Sequence, residues 1–204
     1  MSRAALRATA LLAPLALAAL TGCGGAPAAG PVPDPHVTPA SAAPAEAPSA
    51  TAAAMPASAP VRVRIPSAGV DASPVLGLGL AADGTVEVPS VADADRIGWY
   101  TKGVTPGQTG PAVLIGHFDT ARGPAVLKDV SRVRTGEEIT VSRADGTTAV
   151  FRVRELEQVG KEEFPTAKVY GDTARPELRV ITCGGELTDG HRPDNIILYA
   201  DLVG

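Results

Sequence analysis

Residues 137–159, EEITVSRADGTTAVFRVRELEQV, constrain the fold more than any other stretch. Two runs alternate apolar and polar residues on either side of Asp145-Gly146. Alternation with period two buries one face of a strand and wets the other. Asp-Gly is the dipeptide that closes a tight antiparallel turn. The segment is therefore a β-hairpin, and an isolated hairpin is not stable in water, so the rest of the chain must supply more sheet. "VRVRI" from Val61 and "TVEVP" from Thr85 alternate in the same way. "RIGWY" from Arg96 is a short aromatic-bearing strand. "PAVLIGHFD" from Pro111, "ELRVITC" from Glu177 and "NIILYADLV" from Asn195 are apolar strand runs. "SAGVDASPVLGLGL" from Ser67 is irregular, "PAVLKDVSRV" from Pro124 reads as a short helix on the sheet, and "PTAKVYG" from Pro165 as one helical turn. Seven or eight short strands with turn signals between them predict an all-β domain with short helices, a small barrel or sandwich over residues 61–204.

The chain before Val61 is of a different kind. Residues 24–60 are almost entirely Ala, Pro, Gly, Ser and Thr, with Asp34 and Glu46 the only charges. Such a tract has little to bury and is expected to stay extended and disordered, a tether whose His36 is simply solvated. Upstream, Arg3 and Arg7 precede an apolar run at residues 10–20, the length of a signal-peptide core and short of the roughly 20 residues a membrane span needs. "LTGC", Leu20 to Cys23, follows directly and resembles a bacterial lipobox, in which Cys23 is lipidated and becomes the mature N-terminus. Ordinary secretory cleavage, or an uncleaved anchor, with an incidental Cys23 is the plainer account. On either, the protein is exported, held at the outer face of the membrane by lipid or another tether. With formal net charge −4, 3 % aromatic residues and no basic stripe, nucleic acid is excluded as the natural partner.

The chain has two cysteines. If Cys23 carries lipid, Cys183 has no intramolecular partner, and a leftover cysteine in an exported chain points to a reactive thiol or intermolecular pairing. A Cys23–Cys183 disulfide is the rival, and it would staple the core to a floppy tract. Cys183 closes one apolar strand and His117 another, so a barrel can bring both to its rim although they lie 66 positions apart. A thiol becomes a good nucleophile when an imidazole takes its proton. Acyl transfer also places negative charge on a carbonyl oxygen, and Arg192 in "GHRPDN" is a fixed cation rich in donors. Gly184 and Gly185 would permit close approach of backbone or substrate. Thr182 would line the pocket or satisfy strand-end backbone. Asp119 would orient His117 or cap a turn. Trp99 and Tyr100 would wall a peptide groove or fill core. The structural alternatives for the main pair are a small buried cysteine and a satisfied histidine. One cysteine and two histidines without ligand spacing do not make a zinc site.

"VLIGHFDTARGPAVLKDV", "FPTAKVYG", "ELRVITCGG" and "DGHRPDNIILYADL" together resemble the sortases, specifically the class F sortases of actinobacteria. The family motif Thr-Leu-x-Thr-Cys reads Arg179-Val180-Ile181-Thr182-Cys183 here, with arginine and valine at its first two positions. The resemblance implies an eight-stranded β-barrel, Cys183 as nucleophile, His117 as general acid/base and Arg192 on the oxyanion or sorting signal. The step from Cys183 to Arg192 is shorter than is usual in the family, which leaves Arg179 as a second candidate, with a strand-face salt bridge as its duller account. The implied reaction is cofactor-free: cleavage of an LPXTG-like signal between Thr and Gly through a thioester, then transfer to a cell-wall amine, or to water. Two other readings compete. An L,D-transpeptidase places Ser-His-Gly before its cysteine, where this chain has Val-Ile-Thr. A membrane-tethered β-barrel binding module would leave Cys183 buried and inert.

Overall fold

The structure, a computed structural model, describes residues 33–37 and 52–204. The signal segment, Cys23 and the rest of the expected tether lie outside the described residues. The described residues form eleven strands: β1 (Pro60–Ile65), β2 (Val70–Ala72), β3 (Leu76–Leu78), β4 (Ile97–Tyr100), β5 (Gly110–Gly116), β6 (Asp119–Thr120), β7 (Gly123–Pro124), β8 (Glu138–Arg143), β9 (Thr148–Gly160), β10 (Pro176–Gly184) and β11 (Asp194–Leu202). Among the same residues one short helix, α1 (Thr166–Tyr170), is accompanied by 3-10 turns.

Nine strands form one sheet in the order β2-β1-β8-β9-β11-β10-β5-β4-β3. Its two edge strands, β2 and β3, are consecutive in the chain with only Ser73, Pro74 and Val75 between them. Four residue steps span at most about 14 Å. A flat nine-stranded sheet would hold its edges several strand spacings farther apart, so the sheet has to curl until its edges nearly meet. The result is a mostly β, barrel-like fold, as the sequence implies, with the eight-stranded scheme extended by very short edge strands. The separate β6–β7 hairpin stands outside this sheet.

Inside the curl the alternating hairpin puts Ile139, Val141, Ala149, Phe151 and Val153 into one core with Val63, Leu114, Val180 and Leu198. On the outer side of β5, β10 and β11 a second cluster, Val113, Ile181, Ile197 and Tyr199, lies with Val169 of α1. Both faces of β5 and β10 are therefore buried, which is why these parallel neighbours read as unbroken apolar runs.

Two expected elements are absent. "TVEVP" is not a strand: it makes a single bridge, Leu80 to Val86, and Val88 is exposed. "PAVLKDVSRV" contains no α-helix, only a 3-10 turn at Val130–Arg132. The amides of Ala125 and Leu127 bond the carbonyls of Phe118 and His117, so tertiary partners take the donors a helix would use.

Parts of the expected tether make defined contacts. Arg143, buried under the Asp145-Gly146 turn, donates to the Pro56 carbonyl, and Met55 N–H reaches the Gly107 carbonyl at 2.8 Å. Residues 33–37 lie against β9 and the end of β10. Gly185 N–H donates to the Pro35 carbonyl (2.9 Å), Val37 N–H to Gln158 Oε1 (3.0 Å), and the Val37 side chain is buried. His36 is not merely solvated: Gln158 donates to its Nδ1 (3.1 Å) and its Nε2 faces Glu186 (3.2 Å). No helix among the described residues is long and apolar enough to cross a membrane.

Candidate active site

Register brings the two reactive residues together. β10 runs parallel to β5, with Leu178 opposite Ala112, Val180 opposite Leu114 and Ile181 opposite Ile115. Two further residues along give Cys183, still within β10, and His117, one residue past the end of β5, so the shared direction of the two strands carries both to the same end of the sheet. Cys183 is a half-buried free thiol, its backbone paired with Asn195 of β11. His117 is also half-buried, and its Nε2 lies 2.6 Å from the Pro89 carbonyl. A carbonyl only accepts, so Nε2 carries the proton and Nδ1 is the proton-accepting atom of the neutral ring. The non-strand segment around Pro89 thus fixes the tautomer.

Arg192 returns to the site through a hairpin too small to read as one at first sight. Thr188 and His191 exchange two backbone hydrogen bonds of 2.9 Å around Asp189-Gly190, both with positive φ. This is the primed-turn geometry that Asp-Gly favours, and the dipeptide was the available signal. The turn makes the short step from Cys183 to Arg192 sufficient. Gly185, with φ +80°, starts the loop, and a Cβ there would lie 2.8 Å from the Asp194 carboxylate. Gly184 has no room either, since a Cβ would meet Ile196 at 2.6 Å. The close approach these glycines permit is made by the chain itself.

The guanidinium of Arg192 is clamped on three sides. Asp119 takes Nε (3.0 Å to each oxygen) and Nη2 (2.6 Å), the Gly185 carbonyl takes Nη1 (2.5 Å), and the Phe118 ring lies 4.5 Å from Cζ. Bonding to Asp119 raises the pKa of Arg192 above its ordinary value, so the group is cationic at every working pH. The sequence offered Asp119 to His117 or to a turn; the structure gives it to Arg192, 73 positions away.

Thr182 is 3 % exposed, and its Oγ1 has no hydrogen-bond partner among the described residues. Arg179 sits in the outer layer. Its Nη2 donates to Glu177 (2.6 Å), Nε and Nη2 lie 3.4 Å from the Lys168 carbonyl, and Tyr199 stacks at 4.8 Å. Its donors are committed to this salt-bridged layer, so the duller account of Arg179 holds. Trp99 packs against the inner core and donates to the Val104 carbonyl (3.0 Å), and Tyr100 meets Tyr170 edge-on at 6.2 Å, so both are packing residues. No group of three or more His, Cys, Asp or Glu among the described residues is arranged to hold a metal ion.

A family model for the sortase domain matches residues 63–203. The chain belongs to the sortase family. Sortases are cysteine transpeptidases that act on proteins bearing cell-wall sorting signals. Solved sortases have the same fold at low identity. Sortase C-1 from Actinomyces oris is 22 % identical with a TM-score of 0.54, covering 71 % of this chain and 75 % of its own. Streptococcus agalactiae sortase C1, in complex with MTSET, is 14 % identical with a TM-score of 0.54, covering 71 % and 69 %. Sortase A from Corynebacterium diphtheriae is 18 % identical with a TM-score of 0.54, covering 72 % and 61 %. No curated protein matches this sortase by sequence.

Proposed function

We propose that this sortase is a class F-type transpeptidase that cleaves an LPXTG-like signal between Thr and Gly and transfers the new carboxyl end to a cell-wall amine. The observation that carries the reading is the parallel β5–β10 register, which aligns a free thiol with an imidazole at one end of a buried sheet. Cys183 is the nucleophile and His117 the general acid/base. The Cys183 sulfur adds to the Thr carbonyl, the proton passing to His117 Nδ1. The electron pair moves onto the carbonyl oxygen, and Arg192 holds that oxyanion through donors its clamp leaves free. Collapse expels the Gly amine, which takes the proton from His117, and leaves a thioester on Cys183. An incoming amine, or water, repeats the sequence in reverse and restores the thiol. Thr182, next to the nucleophile in sequence and with a hydroxyl that has no partner among the described residues, is the residue assigned to the substrate pocket. Cys23 is the lipidation site that tethers the enzyme to the outer face of the membrane, and its clients are exported proteins with LPXTG-like C-terminal signals.

The deciding experiment incubates the purified chain and its Cys183→Ala form with a quenched LPXTG-type peptide library and an amine donor, followed by mass spectrometry. Cleavage at Thr–Gly with an adduct on Cys183 is expected. A well-folded protein with no turnover and an unreactive thiol would replace this reading with an inert binding module.

A further inference from the structure

The residue two places after His117 is committed to Arg192, and this commitment has a geometric consequence. A guanidinium has five N–H donors in a planar fork. Asp119 occupies Nε and one Nη2 hydrogen, and the Gly185 carbonyl occupies one Nη1 hydrogen. One Nη1 and one Nη2 hydrogen remain without a partner among the described residues. The Phe118 ring lies 4.5 Å from Cζ. The pair is also sheltered, with side chains 12 % exposed at Arg192 and 26 % at Asp119. The loop that carries Arg192 is otherwise exposed from Glu186 to His191. Left to itself, a long side chain on such a loop would sample many rotamers. Glu186, on the same loop, acts on Arg192 electrostatically and would compete for it.

We infer that Asp119 is the positioning residue for Arg192. Resting on the reading that Arg192 serves the oxyanion, it holds the guanidinium side-on, so that the free Nη hydrogens keep one fixed orientation when the thiol adds. One short segment, His117-Phe118-Asp119, then supplies the proton-transfer group, the stacking ring and the anchor of the oxyanion donor. The site's three partners cannot drift independently, because two of them are fixed by neighbours in sequence.

The test uses the full chain with Asp119→Asn, Asp119→Glu, Arg192→Ala and the Asp119→Asn/Arg192→Ala double variant. Misplacing a catalytic group by about 1 Å costs on the order of 100-fold in rate. Asp119→Asn is therefore expected to lower kcat by about 10- to 100-fold with peptide KM changed less than about threefold. Asp119→Glu, which keeps the charge, is expected to recover part of the loss. In the Arg192→Ala background Asp119→Asn is expected to cost nothing further. Alkylation of Cys183 by a small haloacetamide develops no oxyanion, so its rate is expected to be unchanged in Asp119→Asn. Unchanged kcat, a loss that persists without Arg192, or an equal fall in alkylation each overturns the inference. If Asp119→Asn does not fold, Asp119→Glu carries the test: its displaced fork must lower kcat at unchanged melting temperature, and wild-type kcat overturns the inference. Failure of the underlying reading looks different, since Arg192→Ala itself would then retain full turnover.

Discussion

Gly185, two residues past the thiol, donates its amide proton to the carbonyl of Pro35 across 2.9 Å. A strap from the proline-rich tract is thus bonded to the loop that begins the active site. Its stability follows from opposing magnitudes. Burying Val37 contributes at most about 1.5–3 kcal/mol, and each hydrogen bond about 0.5–1.5 kcal/mol. Ordering each backbone residue costs about 1–2 kcal/mol. The terms nearly cancel, so the strap should open and close while the barrel stays shut. The Gly185 amide is expected to exchange hydrogen much faster than those of Ile196–Ala200, and Val37→Asp to remove its remaining protection without altering the core amides. Hydrogen-exchange mass spectrometry with fragment resolution checks this. Core-like protection at Gly185, or a Val37→Asp profile identical to wild type, would show that the strap is not a separable element.

The site variants should separate by role. Cys183→Ala is expected to abolish turnover, since nothing else carries the acyl group. His117→Ala should lower kcat by about 10²–10⁴, the usual contribution of a positioned acid/base. Arg192→Ala should lower it by about 10²–10³, the loss seen for one oxyanion donor, with a smaller effect on peptide binding. Steady-state kinetics on a fluorogenic sorting peptide gives all three. An Arg192→Ala enzyme whose defect lies wholly in KM would make Arg192 a substrate anchor rather than an oxyanion donor.

The β-hairpin around Asp145-Gly146 and the apolar strands that lead to His117 and Cys183 were legible because each rests on a short-range signal: period two, a turn dipeptide, or an unbroken apolar run. "TVEVP" misleads because alternation records only which residues are apolar. Nothing pairs with its length, and Val88 faces solvent. "PAVLKDVSRV" has a helical pattern, but the carbonyls of His117 and Phe118 claim two of its amides. Asp119 was offered to His117 or to a turn because both are near it in sequence, whereas its partner Arg192 lies 73 positions on and is delivered by the Asp189-Gly190 turn of the folded loop. His36 was read as solvated because the composition of its surroundings says nothing of Gln158 and Glu186, more than 100 positions on.

Gly171 ends α1 with a backbone hydrogen bond to the Ala167 carbonyl (3.0 Å). A Cβ at this position would lie 2.3 Å from that same oxygen, and backbone cannot rotate aside. Gly171→Ala must open the last turn of α1, loosening Val169 and the Tyr170 contact with Tyr100. The expected cost is about 1–3 kcal/mol, the range of an overpacked interior site, measured by urea unfolding. A change under about 0.5 kcal/mol, the scatter of ordinary surface substitutions, would mean that the turn relaxes freely.

Glu177 gives the fold a defined acid sensitivity. Burial pushes its carboxyl pKa up, but hydrogen bonds from Arg179 (2.6 Å) and Arg154 (2.8 Å), with their charges, outweigh that, and the net shift is below the ordinary value. A folded-state pKa lower than the unfolded one contributes stability that is fully present above the unfolded value. It is lost as pH falls from there through the folded value. Wild-type unfolding free energy should therefore decline as pH drops below about 4.5, the ordinary glutamate value. Glu177→Gln should show a shallower decline over the same window, because it has no proton to take up. It should also be less stable at neutral pH, since Arg179 is then buried without its counter-charge. Urea unfolding of both proteins at a series of pH values tests the two expectations together. Parallel curves would mean that the acid sensitivity comes from other carboxylates, such as Glu157, whose bonds to Lys168 and Tyr199 lower its pKa against the opposing effect of burial.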